Sequence, residues 1–229
     1  MPVKWTLLED ADAVARTARD RILEAARTAI LERGHFRLVL AGGTTLTHTY
    51  RLLAESDADW RKWHIYFGDE RCLPADHTER NSLAAERVLT SRVPIPPTQI
   101  HPIPAELGPE RGASAYQATV REALPFDLVL LGMGEDGHTA SLFPGHTHPP
   151  DPLVVPVHEA PKPPSERISL GRKALSDCRS LLFLVTGSGK REAVKRWRGG
   201  EKHLPVAGIP CPEQCEVLID APALGQGVN

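Results

Sequence analysis

Short apolar runs alternate along the chain with longer stretches in which apolar residues recur every three or four positions. Ala11 to Glu32 predicts a long helix: Ala, Leu, Ile and Arg dominate, no proline interrupts, and Gly34 stands where a C-terminal stop belongs. Phe36 to Leu40 is a short apolar run closed by Gly42-Gly43, the pattern of a buried strand. Leu46 to Glu55 returns to helical spacing, with Leu46, Tyr50 and Leu53 on one face. Trp63 to Phe67 predicts a second strand, ending at Gly68, and Arg80 to Leu89 a helix. A proline-rich connector leads to a helix over Pro109 to Ala123, whose proline sits where a missing N–H costs nothing. Asp127 to Leu131 is a third strand, running into Gly132, Gly134 and Gly137. Leu153 to Val157 and Arg167 to Leu170 are shorter strand candidates. Ser180 to Val185 is a buried strand leading through Gly187-Ser188-Gly189 into a helix over Arg191 to Trp197, and Glu216 to Ile219 supplies the last strand.

Strands and helices alternating at this spacing predict an α/β fold with an open, mostly parallel sheet flanked by helices. At roughly 150 residues per domain, the 229 residues read as one domain, 1–229. The proline-rich stretches are short enough to be loops within it.

The 27 Lys+Arg against 29 Asp+Glu leave a net charge of −2, which argues against nucleic acid or an anionic membrane as partner. No apolar run approaches the roughly 18 residues of a membrane span. Glu9, Asp10 and Asp12 stand where a secretory segment would be apolar, so a cytoplasmic protein is expected. Four cysteines are too few and scattered for a disulfide framework. Cys211 and Cys215, with His203 upstream, raise zinc, but no further Cys/His pair completes a four-ligand set at familiar spacing.

In an open α/β sheet, ligands bind beyond the carboxyl ends of the strands, and three strand ends here carry unusual chemistry. Gly42-Gly43-Thr44-Thr45 lets backbone approach a ligand at a helix N-terminus; the same residues equally suit a tight turn capped by Thr44 or Thr45. Asp69-Glu70-Arg71 puts three charges directly after a buried strand, on the crevice rim, or else forms a solvated, self-paired turn. Gly132 to Ser141 packs three glycines into six positions with His138 at its exit and Asp136 two residues away, which suits a general base. Arg167 and Lys190 lie near further strand ends and, with the Gly42-Gly43 loop, could enclose a phosphate. Two nucleotide motifs fail. Gly187-Ser188-Gly189-Lys190 lacks the earlier P-loop glycine (Leu184 stands there) and the following hydroxyl (Arg191). Gly132-x-Gly134-x-x-Gly137 is followed by Ser141-Leu142-Phe143-Pro144-Gly145, which breaks too early for a dinucleotide-binding helix.

LAGGTT (Leu40 to Thr45), FGDERCLP (Phe67 to Pro74), LGMGEDGHTASLFPG (Leu131 to Gly145), RISL (Arg167 to Leu170) and TGSGKR (Thr186 to Arg191) occur in one order. In these segments the chain resembles the 6-phosphogluconolactonases, within the larger group that includes the glucosamine-6-phosphate deaminases. Deaminases carry a glutamate five residues after the loop histidine; Phe143 stands there, in the SLFPG run typical of lactonases. The phosphate loop usually runs Gly-Gly-Ser-Thr-Pro, whereas Thr44, Thr45 and Leu46 follow the glycines here, and a common Ser-Asn pair appears as Arg80-Asn81.

The resemblance implies a Rossmann-like fold and hydrolysis of 6-phospho-D-glucono-1,5-lactone to 6-phosphogluconate, with neither metal nor cofactor. It implies His138 as general base, Asp136 as its orienting group, Arg71 at the oxyanion, and Asp69 and Asn81 on sugar hydroxyls. Gly42, Gly43, Thr44, Arg167 and Lys190 would take the phosphate. A small sugar-phosphate lactone is then the partner, for a monomer or weak homodimer. A sugar-phosphate sensor of the same fold would need a DNA-binding module, and the residues before Phe36 show no helix-turn-helix pattern.

Overall fold

A computed structural model describes residues 3–225. Its elements in chain order begin with β1 (Lys4–Leu8), α1 (Ala11–Arg33), β2 (Phe36–Leu40), α2 (Thr44–Ala54) and β3 (Trp63–Phe67). Next come β4 (Asp69–Arg71), α3 (Asn81–Ala85), α4 (Pro109–Ala123), β5 (Phe126–Gly132) and β6 (Val154–Val157). The chain continues with β7 (Arg167–Leu170), α5 (Arg172–Ser176), β8 (Cys178–Val185), α6 (Arg191–Arg198), β9 (Gln214–Asp220) and α7 (Ala221–Leu224).

Six strands form one parallel sheet in the order β1-β9-β8-β5-β2-β3. Its centre is built from runs that are apolar at nearly every position, as strands covered on both faces must be. Phe126 to Leu131 are all buried, as are Leu181 to Val185. The one carboxylate inside β5, Asp127, is matched by donors: Arg33 Nε at 3.0 Å and the Arg37 amide at 2.8 Å. It thereby ties the end of α1 to the start of β2. Helix α1 begins where Asp10 accepts the Ala13 amide at 2.7 Å and ends where Gly34, at φ 78°, donates back to the Ile30 carbonyl.

The structure departs from a one-sheet expectation. β4, β7 and β6 form a second, antiparallel sheet of three strands. Gly68 joins the two sheets: its amide donates to the Leu40 carbonyl of β2 at 2.8 Å, and its carbonyl accepts the Leu170 amide of β7 at 2.7 Å. The helix expected over Arg80 to Leu89 is shorter, widening after Ala85 into a turn with an i→i+5 bond from the Ser91 amide to Glu86. Strand β1 carries no alternation a sequence reading could use, because it is an edge strand with most positions half-covered.

That edge contains a titratable clasp. Glu216 on β9 lies opposite Lys4 on β1 and receives Lys4 Nζ at 2.9 Å, Thr6 Oγ1 at 2.6 Å and Arg21 Nε at 2.9 Å. Burial alone would raise this carboxyl, but the three donors outweigh it and hold the pKa at about 2. A carboxyl whose pKa falls on folding stabilises the fold above its unfolded value of 4.5, and that contribution disappears as pH drops towards 2. Glu216→Gln is therefore expected to lower the melting temperature at pH 7 and to converge with the unmodified protein near pH 2. Melting curves across that range check this; a gap independent of pH contradicts it.

Candidate active site

The connections out of the large sheet run in opposite senses from its middle. After β2 the chain moves outward to β3; after β5 it moves the other way, to β8 and then β9. Strands β2 and β5 are neighbours, so the switch point lies between them, where such sheets place their ligands. A cavity of about 490 Å³ opens there, lined by the strand-end loops of β2, β5 and β8 and by part of the small sheet.

The β5 loop is wound tightly enough to aim a histidine. The Gly134 amide donates to the His138 carbonyl at 2.8 Å, and Gly137 turns the chain at φ 84°. His138 Nδ1 lies 2.6 Å from Asp136 Oδ1, which also accepts the His138 amide at 3.1 Å. Burial would raise the Asp136 carboxyl, but the His138 amide and ring outweigh it and hold the group below its ordinary range. An ionised partner on Nδ1 keeps the proton there and leaves Nε2 with the lone pair. His138 lines the cavity. Asp136 touches the ring rather than the cavity.

Space behind the imidazole is reserved by Gly134. A Cβ there would lie 2.0 Å from His138 Nδ1 and 2.6 Å from Asp136 Oδ1. Gly134→Ala is thus expected to push the pair apart and lower kcat about tenfold or more while the fold survives. Parallel kinetics and melting curves test it; full activity in a folded variant would show the pairing is dispensable.

The wall after β3 corrects the expectation of three rim charges. Asp69 and Arg71 line the cavity, but Glu70 is fully buried beneath it. Glu70 Oε1 accepts the amides of Arg71 at 2.9 Å and Asn81 at 2.8 Å; Oε2 accepts the Ser82 amide at 2.9 Å and Ser82 Oγ at 2.8 Å. Arg80, at the position of the usual serine, is buried too. It donates to the Leu73 and Ile103 carbonyls and to Glu106, with Nε 3.4 Å from Glu70. Both residues build the loop and stand outside the cavity.

Asp69 Oδ2 accepts Ser141 Oγ at 2.6 Å, and Oδ1 accepts Asn81 Nδ2 at 3.1 Å. Asn81 lines the cavity with its amide nitrogen already engaged, leaving Oδ1 as its remaining polar atom. That atom explains Gly42: a Cβ there would lie 2.2 Å from Asn81 Oδ1. Arg71 donates from Nη1 to the Glu79 carbonyl.

On the other side stand Gly42, Gly43 and Thr44, at the start of α2. Gly43, at φ 127°, is the N-cap, and no side chain caps the helix. Neither threonine takes the capping role; Thr45 Oγ1 instead pairs with Thr186 Oγ1 at 2.6 Å. Uncapped N–H groups facing a cavity suit an anion. Arg167 and Lys190 face the same space. Burial lowers the pKa of both, with Asp69 opposing the shift at Arg167, and Glu135 and Asp136 at Lys190. Cations destabilised by burial are poised to gain from an anion. Phe143 is buried, its ring centroid 4.7 Å from that of His138 and 5.5 Å from the Arg167 guanidinium carbon.

All ten residues proposed from the sequence therefore fall in or against one cavity. Lys162, which also lines it, was missed, because its proline-rich surroundings read as a connector. Cys211 and Cys215 are free thiols, and the neighbouring Cys215 lowers Cys211 to about 7. Among the described residues, no three His, Cys, Asp or Glu side chains are grouped as metal ligands, and no helix is long and apolar enough to cross a membrane.

Comparison with known proteins follows the same outline. A 6-phosphogluconolactonase of Mycobacterium tuberculosis is 37% identical over 238 residues, covering 95% of both chains. The chloroplastic 6-phosphogluconolactonase 3 of Arabidopsis thaliana is 36% identical over 213 residues, and the chain spans 65% of that protein's length. The crystal structure of a 6-phosphogluconolactonase from Thermotoga maritima superposes with a TM-score of 0.89 at 30% identity, covering 96% of this chain and all of that one. The model of the glucosamine-6-phosphate isomerases/6-phosphogluconolactonase family matches residues 9–219, a range that holds every residue lining the cavity, so the chain belongs to that family.

Proposed function

We propose that the protein hydrolyses 6-phospho-D-glucono-1,5-lactone to 6-phospho-D-gluconate, the second step of the oxidative pentose phosphate pathway. The observation that carries this reading is the His138–Asp136 pair at a cavity whose walls also hold an uncapped helix start and cationic side chains. Phe143 supports lactone opening over deamination, because it replaces the acid that deaminases of the family carry.

His138 Nε2 takes a proton from a water as that water's oxygen bonds to the lactone carbonyl carbon. The carbonyl π pair moves onto its oxygen, where Arg71 and backbone N–H groups offset the charge. Collapse re-forms the carbonyl and breaks the bond to the ring oxygen, which takes the proton back from the imidazolium. Asp136 holds the ring and balances its transient charge. Asp69 and Asn81 accept sugar hydroxyls, and Gly42, Gly43, Thr44, Arg167 and Lys190 hold the phosphate, fixing the lactone against the water. Side chains and amides supply every proton transfer and counter-charge in this scheme, so a metal has no part in it.

Freshly generated lactone, coupled to an NADP-linked 6-phosphogluconate dehydrogenase, tests the proposal. Acceleration above spontaneous hydrolysis that persists with a chelator supports it. No acceleration, with ammonia released from glucosamine 6-phosphate instead, overturns it in favour of the deaminase.

A further inference from the structure

The segment 158–166 between β6 and β7 forms a strap that brings Lys162 to the cavity. Four cationic side chains thus line the space, Arg71, Lys162, Arg167 and Lys190, against the single carboxylate of Asp69. Arg167 differs from the other three. It is buried, and it donates from Nε to the Pro164 carbonyl at 3.0 Å and from Nη2 to the carbonyls of Lys162 at 2.8 Å and Pro163 at 3.4 Å. Its hydrogen bonds grip the backbone of the strap from beneath; among the described residues, Nη1 has no protein partner.

The base of the strap is tied as well. His158 Nδ1 lies 2.6 Å from Glu166 Oε2, and its Nε2 lies 2.7 Å from Glu110 Oε1 on α4. The Ala160 amide donates to the Ser165 carbonyl at 3.0 Å. A loop closed at its base and gripped along its backbone fixes the point from which the exposed Lys162 side chain reaches the cavity. Lys162 is also among the charges that disfavour the Lys190 cation, after burial itself. Two ammonium groups facing one space repel, and a dianion between them converts that repulsion into attraction.

We infer that Lys162 binds the phosphate dianion of the substrate directly, and that Arg167 acts on the phosphate largely through Lys162, as the positioning residue of the strap. This rests on the sugar-phosphate reading above and adds to it a group and a division of labour.

The test compares 6-phosphoglucono-1,5-lactone with unphosphorylated glucono-1,5-lactone, and measures inorganic phosphate binding by calorimetry. Lys162→Met should cut the preference for the phosphorylated lactone about tenfold, through KM rather than kcat, and Lys162→Arg should restore most of it. Arg167→Lys should raise KM about tenfold in the unmodified protein and much less in the Lys162→Met background, because the two act as one unit. Additive effects overturn the positioning role. Arg167 is buried, so should its variant not fold, the same cycle runs with Glu166→Gln, which loosens the strap from its surface. If the lactone is opened but Lys162→Met leaves KM and phosphate affinity unmoved, this inference falls alone. If the lactone is not opened yet Lys162→Met still weakens phosphate binding, the lactonase reading falls and this one stands.

Discussion

His138→Ala is expected to lower kcat for the lactone by about 10²–10⁴-fold and to leave KM nearly unchanged. The ring sits at the rim of the β5 loop, outside the walls assigned to the phosphate, so its loss removes the proton acceptor without removing the anchor. Its structural ties are local ones: the partner Asp136 is two residues away, and the neighbouring Phe143 keeps its place in the core. The variant should therefore melt within a few degrees of the unmodified protein. A coupled assay with circular-dichroism melting decides the matter. An unchanged kcat removes the base from the mechanism, and a raised KM with kcat intact would mean the ring binds rather than reacts.

The largest loss of stability is expected at Glu70. Its carboxylate is fully buried and accepts four hydrogen bonds, three of them from backbone amides of two separate segments. Glu70→Ala would leave these donors without their acceptor and remove the carboxylate that lies 3.4 Å from the buried Arg80 Nε. Breaking a buried charged network of this kind costs about 3–5 kcal/mol, and the loss should fall first on the loop that sets Asp69, Arg71 and Asn81. Chemical denaturation measures it. A midpoint shift worth under about 1 kcal/mol, the range of an exposed pair, would show that the Glu70 bonds contribute little to holding the loop. Glu70→Gln should recover only part, since its amide nitrogen would face N–H donors.

How far the sequence reveals this molecule depends on whether a residue's setting is local. The central strands were legible because a strand covered on both faces must be apolar throughout, as Leu128 to Leu131 and Leu181 to Val185 are. The His138–Asp136 pair was legible because a glycine-rich turn brings residues two apart into contact. Asp69-Glu70-Arg71 gave no sign of being a strand, since its partner Arg167 to Leu170 lies nearly a hundred positions on. Nor could the sequence say that Glu70 points inward while its neighbours point into the cavity; strand alternation does that, and it needs the strand to be known first. Lys162 was obscured by the prolines around it, and its relevance comes from the grip of Arg167.

Gly68 bears on how the site can move. One peptide group on each side of a single residue bonds to a different sheet, so the small sheet cannot swing away without breaking the hydrogen bond between Gly68 and Leu40. The wall that carries Asp69, Arg71 and Arg167 is accordingly part of the same cooperative unit as the core, and the amides of Gly68 and Leu170 should exchange with solvent only at the rate of global opening.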